Sequence, residues 1–318
     1  MSDHRPDDGV LLGVDVGGTS MSAGLVTRDG RVLVTRGRPT HGPDAGGAIE
    51  RILALAAEVA ALPDARAHGL VGVGAGLPGL VDVASGTVSG EAHHVPELSG
   101  APMARLLAKV ADAPAFVDND VNALALAEGR WGAGRGAKSF VLLAVGTGVG
   151  GSMVIDGRLH RGSGGFGGEL GHVPIDFDGR PCICGARGCL KAYVAGPDLA
   201  REASRRLGRP VDAAELFDLA DGGDSTAEAV VVEATEALAA GLAIIVNGIN
   251  PERLLVAGSV GRAFGRREAD VRARLARRAY KGALAATQVI FLDLGKDTSV
   301  RGGAALILYE REQSSSSE

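Results

Sequence analysis

The sequence predicts an α/β protein made of two halves of similar build, and three observations carry that prediction. An apolar strand, Val10–Val16, runs into the turn Gly17-Gly18-Thr19-Ser20 and returns as a second strand, Met21–Thr27. The same order recurs later: Phe140–Val145, the turn Gly146-Thr147-Gly148-Val149-Gly150-Gly151, then Ser152–Ile155. Between and after these hairpins, short apolar runs alternate with longer stretches of helical period. A length of 318 residues suits two domains better than one.

The first strand is apolar throughout its core. After the second, Asp29-Gly30 marks a hairpin turn and Arg31–Arg36 returns as a third strand. Ala45–Ala61 has apolar residues at helical spacing (Ile49, Ile52, Leu53, Ala56, Val59). Leu70–Gly76 is a strand that Gly76-Leu77-Pro78-Gly79 breaks, and a glycine-rich backbone there can approach a ligand closely. The segment to Leu98, with His93 and His94, has no regular pattern. Met103–Ala108 reads as a helix, Ala115–Val117 as a strand and Val121–Trp131 as a helix. In the second half, Pro197–Leu207, Val211–Ala220 and the alanine-rich Ser225–Val246 read as helices, the last largely buried. Arg253–Ala257 is a strand closed by Gly258-Ser259-Val260-Gly261. Arg262–Tyr280 reads as one basic helix whose charge fits a solvated face better than a binding surface. Val289–Asp293 is the last strand, Gly302–Glu310 the last helix, and Ser314–Ser317 a tail. With no Pro- or Ser-rich linker, any boundary is a hinge, placed near Asp118–Val121. The domains are then 1–120 plus 303–318, and 121–302.

Bulk properties exclude several classes. Hydrophobic content of 46% with 22% charged residues fits a soluble globular chain. A formal charge of -5 argues against a nucleic-acid surface. Met1–Asp8 is polar, without the apolar core of a signal peptide, and reads as a tail. The longest apolar stretch, Ala237–Val246, is short of the ~20 residues that cross a bilayer, so no membrane partner is expected. Three cysteines read as metal ligands suit a reducing cytoplasm.

All three cysteines fall in one run, Cys182-Ile183-Cys184-Gly185-Ala186-Arg187-Gly188-Cys189, a short way after Gly168-Glu169-Leu170-Gly171-His172. Three thiols and one imidazole complete a tetrahedral zinc set, with no position left open, so the zinc would be structural. It would hold Glu169 and His172 in place, which points to a substrate pocket. In the two hairpin turns, backbone N–H groups of Gly17, Gly18 and Thr19, with the Thr19 hydroxyl, can converge on phosphate oxygens, as can the Gly146–Gly151 turn. Asp15, at the strand end, can hold a magnesium ion through water. The Gly258 turn can pass under an adenine or ribose. The carboxylates of Asp118-Asn119-Asp120 open a helix, which leaves capping and chemistry as equal readings.

The glycine turns, the Asn-Asp pair and the His/Cys loop stand in the order shown by the ROK family of bacterial sugar kinases and repressors. From Leu12 to about Leu308 the chain resembles its glucokinase branch. The resemblance implies an actin-like ATPase fold (ribonuclease H-like), two α/β domains with ATP and sugar in the interdomain cleft, and a last helix packed on the N-terminal domain. It implies Asp120 as the catalytic base, with Asn119, Glu169 and His172 as ligands of sugar hydroxyls and Gly79 lining the sugar. His172 would use one ring nitrogen for zinc and the other for sugar. Asp15, Gly17, Gly18, Thr19, Thr147 and Gly148 would take the phosphates of Mg-ATP, and Gly258 the nucleoside. A homodimer is implied as well. Repressors of the family carry an N-terminal helix-turn-helix, for which the position of the first cradle leaves no room here.

Two positions depart from the glucokinase pattern. Lys191 stands where the family has a sugar-binding glutamate, and His94 where it has asparagine. An ammonium in place of a carboxylate reverses charge and hydrogen-bond direction. The chemistry therefore looks retained and the acceptor changed, toward a modified sugar or a seven-carbon cyclitol that differs from glucose near C1 and C2, with Lys191 as a donor. Glucose itself, with Lys191 swung to solvent, is the alternative. A non-catalytic sugar-sensing regulator is the second, although a pure sensor has no need of the Asp120 base.

Overall fold

The computed structural model describes residues 9–42, 46–90, 92, 94–295 and 298–315. The expected tails at Met1–Asp8 and Ser316–Ser317, the start of the first helix at Ala45, and His93 lie outside the described residues.

The chain forms two compact units, residues 1–135 with 163–165 and 295–318, and residues 136–162 with 166–294. In the first, β1 (Val10–Val16), β2 (Ser20–Val26) and β3 (Val32–Pro39) form an antiparallel meander. Helices α1 (Ala48–Ala60) and α2 (Pro63–His68) follow, then β4 (Leu70–Leu77), which pairs parallel with β1. A small hairpin, β5 (Val81–Asp82) with β6 (Thr87–Val88), precedes α3 (Met103–Ala111). Strand β7 (Ala115–Asn119) joins β4 in parallel and runs directly into α4 (Asp120–Trp131). The sheet order is β3-β2-β1-β4-β7.

The second unit repeats that order. Strands β8 (Phe140–Val145), β9 (Val149–Ile155) and β10 (Arg158–Leu159) form the meander. Helices α5 (Lys191–Val194), α6 (Gly196–Leu207), α7 (Ala213–Asp221) and α8 (Ser225–Ile249) come next, then β11 (Arg253–Ala257), parallel to β8. Helices α9 (Ser259–Gly265), α10 (Glu268–Ala276) and α11 (Lys281–Ala286) lead to β12 (Gln288–Phe291), parallel to β11. The order β10-β9-β8-β11-β12 matches the first sheet place for place, as the duplicated strand–turn–strand pattern predicts. Gly150 and Gly151, read as turn residues, lie within β9, paired with Ala144 and Leu143.

The last helix, α12 (Thr298–Ser315), belongs to the first unit. Glycines set its distance from the sheet. A Cβ at Gly13 would stand 1.8 Å from the Val300 carbonyl oxygen, and one at Gly74 would stand 1.9 Å from that of Gly303. Because α4 packs on α12, it stays with the first unit: a Cβ at Gly302 would meet the backbone of Ala123 at 3.1 Å. This moves the division from the expected 120/121 and 302/303 to 135/136 and 294/295.

Helix α8 is the axis of the second core. The Asp224 carboxylate accepts from the N–H groups of Thr226 and Ala227 at its start, and Asn250 ends it in a left-handed conformation, φ 49°. Its 25 residues meet the length and composition of a membrane span, which the sequence reading placed out of reach, but the helix is mostly buried in this unit. Its acidic residues are ion-paired with arginines of the unit: Glu228 with Arg267, Glu233 with Arg180 and Arg206, Glu236 with Arg274, Arg277 and Arg278. The basic stretch Arg262–Tyr280 is two helices and not one. The helix is interrupted at Gly265–Arg267, where Arg266 and Arg267 turn to Asp218, Asp221 and Glu228.

Candidate active site and metal centre

In the first unit the β1–β2 turn is closed by its own backbone. The Gly17 N–H donates to the Ser20 carbonyl at 2.9 Å, so it is not one of the phosphate donors the sequence suggested. Thr40, fully buried, clamps the turn from β3: its hydroxyl donates to the Gly17 carbonyl at 2.7 Å and its N–H to the Thr19 carbonyl at 3.0 Å. Thr19 is exposed at the tip. Gly18 lies against His94: a Cβ there would be 2.9 Å from the His94 Cβ and 3.3 Å from its Cγ. His94 therefore stands over the cradle, and only glycine fits beneath it. Nothing in the sequence singled out Thr40, since a lone threonine at a strand end has no pattern.

At the β7–α4 junction Asp118, Asn119 and Asp120 each have hydrogen-bond partners of their own. Asp118, 2% exposed, accepts from the Asn119 N–H at 2.7 Å and from Asn122 Nδ2 at 2.9 Å. Asn119 is the helix cap: its Oδ1 accepts from the N–H groups of Val121 and Asn122. Its Nδ2 donates to the carbonyl of Gly79 at 3.1 Å, and Gly79 adopts φ 92°, which favours glycine. Asn119 and Gly79 are thus brought together, with the amide committed largely to the fold. Gly76, between Asp15 and Asp118 in the sheet, gives α4 its seat: a Cβ there would be 3.1 Å from the Asp120 Cα.

Asp120 accepts from the Val121 N–H through Oδ1 at 2.9 Å. It and Asp15 keep an accessible edge, yet their carboxyl groups are enclosed enough for burial to dominate their protonation. Burial first, then the negative charge of Asp15, pushes the Asp120 carboxyl up to about 7, against a weaker opposing pull from the Val121 N–H. Burial raises Asp15 to about 6, with a hydrogen bond from Ser299 acting the other way. One unit thus holds two interacting carboxyls poised near neutrality beside a glycine turn, an arrangement typical of acid–base sites.

In the second unit, the Gly146 N–H donates to the Gly148 carbonyl at 2.9 Å, and its own carbonyl accepts from Gly196 at the start of α6 at 2.8 Å. Thr147 is exposed at the tip of this turn. Gly258, at φ 90°, packs on the same strand end: a Cβ there would be 2.3 Å from the Val145 carbonyl oxygen. Thr147, Gly148 and Gly258 therefore gather at one end of this sheet.

The ligand atoms of His172, Cys182, Cys184 and Cys189 all lie within 4.8 Å of one another. Cys184 and Cys189 sulfurs are 3.7 Å apart, close to the edge, about 3.8 Å, of a tetrahedron with metal–sulfur bonds of ~2.3 Å. His172 Nδ1 is 3.5 Å from the Cys182 sulfur, while Nε2 faces the other way, 4.0 Å from a Glu169 carboxylate oxygen. The two ring nitrogens of the imidazole thus lie toward different partners, Nδ1 toward the Cys182 sulfur and Nε2 toward Glu169. Glu169 is exposed. Burial, then the neighbouring thiols, push the Cys189 thiol up to about 12, whereas a hydrogen bond from the Ala186 N–H lowers Cys184. Crowded thiols resist ionising together, and a divalent cation removes that resistance. The donor set fits zinc. Gly185 and Gly188 take φ 88° and 70°, and a Cβ at Gly188 would be 1.7 Å from the Asp176 carbonyl oxygen. Arg180 ties the loop down: it pairs with Glu233 at 2.5 Å, lies over the Tyr193 ring at 4.6 Å, and its N–H donates to the Tyr193 hydroxyl.

Lys191 departs from its expected role. Its ammonium is neither free for a substrate nor in solvent. It is bound to Asp198 at 2.9 Å in a mostly buried pair, and Arg201 holds the other Asp198 oxygen at 2.9 Å. Asp198 was not singled out in the sequence, because an aspartate at a helix start reads as a cap.

The duplicated five-stranded sheets, each led by a hairpin with a glycine turn, define the actin-like ATPase fold. The chain belongs to the ROK family, which it matches over residues 11–310. It is similar to the glucokinase of Thermotoga maritima, 33% identical over 311 residues, 93% of this chain and 96% of that one. Among solved structures, the ROK hexokinase of Thermus thermophilus is 34% identical, with a TM-score of 0.81 over 96% of this chain and 99% of that one. A ROK family glucokinase of Streptomyces griseus, solved with glucose and AMPPNP, is 29% identical, with a TM-score of 0.79 over 94% and 99%.

Proposed function

We propose that the chain is an ATP-dependent carbohydrate kinase that phosphorylates the primary (6-type) hydroxyl of a hexose or a glucose-like molecule. The observation that carries this is Asp120: a carboxyl held near neutrality at the head of α4, in the same unit as Asp15 and the Gly17–Thr19 turn. In the reaction the acceptor oxygen attacks the γ-phosphorus, its proton passes to Asp120, the bond to the β–γ bridging oxygen breaks, and ADP leaves. The turns at Gly18–Thr19 and Thr147–Gly148 bind the phosphates, and Gly258 takes the nucleoside. Asn119 holds Gly79, and Asn119, Glu169 and His172 orient the sugar hydroxyls. Asp15 offers hard oxygen ligands that would suit magnesium, which would supply positive charge beside the phosphates when bound. His172 and the three cysteines would hold a zinc ion, which would fix the loop carrying Glu169. A homodimer in solution is part of the same reading and is checked by light scattering.

The acceptor is narrowed by the Lys191–Asp198 pair. An ammonium already bound by a buried carboxylate offers a substrate much less than a free one, which favours glucose over a substrate chosen by Lys191. His94, standing over Gly18, is the remaining departure and keeps a modified sugar or a seven-carbon cyclitol in the panel. Specificity constants for glucose and such analogues, measured in wild type and His94→Asn, decide between them. A rise in glucose turnover with loss of the analogue in the variant selects the modified substrate; a preference for glucose in both selects glucokinase.

A further inference from the structure

Ser299 stands in the first turn of α12, far in sequence from either cradle. Ser22 sits directly across the β1–β2 pair from Asp15, and directly opposed residues share a face of the sheet. The hydroxyls of Ser22 and Ser299 are 2.9 Å apart, and Ser299 also hydrogen-bonds the Asp15 side chain. An ionised carboxylate only accepts, so Ser299 gives its proton to Asp15 and takes the Ser22 proton on its own oxygen. The start of α12 has little room to move. Val300 is fully buried, its carbonyl oxygen would be 1.8 Å from a Cβ at Gly13, and its Cγ2 would be 3.2 Å from one at Gly24. The hydroxyl is therefore delivered from a seated element, not from a loop. Asp120 is close enough to Asp15 for the two charges to interact. It repels the carboxylate, while the Ser299 hydrogen bond favours the ionised form.

We propose that Ser299 is a positioning residue for phosphoryl transfer: backed by Ser22, it holds the Asp15 carboxylate in the one orientation that meets the magnesium–nucleotide complex. This rests on the reading of Asp15 as the magnesium-side carboxylate. It makes the C-terminal helix part of the nucleotide site and links the seating of α12 to metal-dependent binding.

The test needs no acceptor. Binding of AMPPNP to the full chain is measured by calorimetry with and without magnesium, for wild type, Ser299→Ala, Ser299→Thr, Asp15→Asn and the double variant Asp15→Asn/Ser299→Ala. Ser299→Ala is expected to weaken the magnesium-dependent binding roughly tenfold, as loss of one hydrogen bond to a charged group does. It leaves magnesium-free binding nearly unchanged, and Ser299→Thr restores affinity. In the Asp15→Asn background, Ser299→Ala adds nothing. If Asp15→Asn loses the magnesium dependence while Ser299→Ala keeps it in full, the role of Ser299 is overturned and that of Asp15 stands. If Asp15→Asn itself keeps it, the reading of Asp15 fails and the proposal with it. Equal weakening with and without magnesium, unrescued by threonine, assigns Ser299 to the seating of α12 alone and also overturns the proposal.

Discussion

Asp120→Asn separates catalysis from stability in one substitution. Removing a general base lowers turnover by ~10²–10⁴-fold. The stability effect has the opposite sign. The Asp120 carboxyl is raised from 3.8 to about 7 in the folded chain. A raised carboxyl favours the folded state fully below its unfolded value, and that contribution is lost as pH rises through the folded value. At pH 8 the folded chain therefore holds an ionised carboxylate at a cost of about 4 kcal/mol relative to acid, from the difference between those two values. Asp15 shares that repulsion, so about 2–4 kcal/mol is the working figure. Asparagine has nearly the same shape and no charge. The variant should melt higher than wild type at pH 8, by roughly 5–10 °C at 2–4 °C per kcal/mol. Near pH 3.5, below the unfolded value, the two should melt almost together. Calorimetry without nucleotide or metal, at both pH values, reads this beside a transfer assay. An Asn variant that is active, or whose gain in melting temperature is the same at both pH values, refutes the assignment of a strained, ionisable base.

For the same reason, kcat/KM should fall about tenfold per pH unit below about 7, where Asp120 becomes protonated, and a profile flat down to pH 5 would contradict it. Metal analysis should find one zinc per chain, and Cys184→Ser should lose it and lower the melting temperature of the second unit; a variant that keeps both would rule out the four-ligand site. Lys191→Ala leaves Asp198 with only the exposed Arg201 and should cost about 3 kcal/mol in denaturant unfolding, most of it recovered in the double variant Lys191→Ala/Asp198→Asn. Gly74→Ala drives a Cβ to 1.9 Å from the Gly303 carbonyl oxygen and should cost more than about 4 kcal/mol, or leave the chain insoluble.

Much of the fold was legible because hairpins and buried strands are local patterns. Val10–Val16, Phe140–Val145 and Arg253–Ala257 occur with the predicted bounds, and the repeated glycine turn foretold two sheets of one order. The basic stretch after Gly261 misled because arginines favour helix, while the break at Gly265–Arg267 is set by ion pairs to α7 and α8, remote in sequence. The division between units was misplaced for a similar reason: α4 is held by the glycine-lined α12 at the far end of the chain. At the site, the cysteine run and His172 announced themselves by composition and do converge. Asn119 and Asp120 carry equal capping signals, and both accept from the Val121 N–H; what separates them, the burial of the Asp120 carboxyl, has no local pattern. Lys191 shows the limit most plainly: its charge was readable, its partner Asp198 was not.

The central claim is that this chain moves the γ-phosphoryl group of ATP to a primary hydroxyl of a sugar. It is tested most directly by incubating the purified chain with magnesium and ATP against glucose, other hexoses, a seven-carbon cyclitol and 6-deoxyglucose, and following ADP release with phosphorus NMR of the product. ADP and a phosphate ester on the primary carbon are expected in equal amounts for at least one acceptor, and none with 6-deoxyglucose. Sugar binding with no transfer to any acceptor, or an ester formed at another carbon, would contradict it.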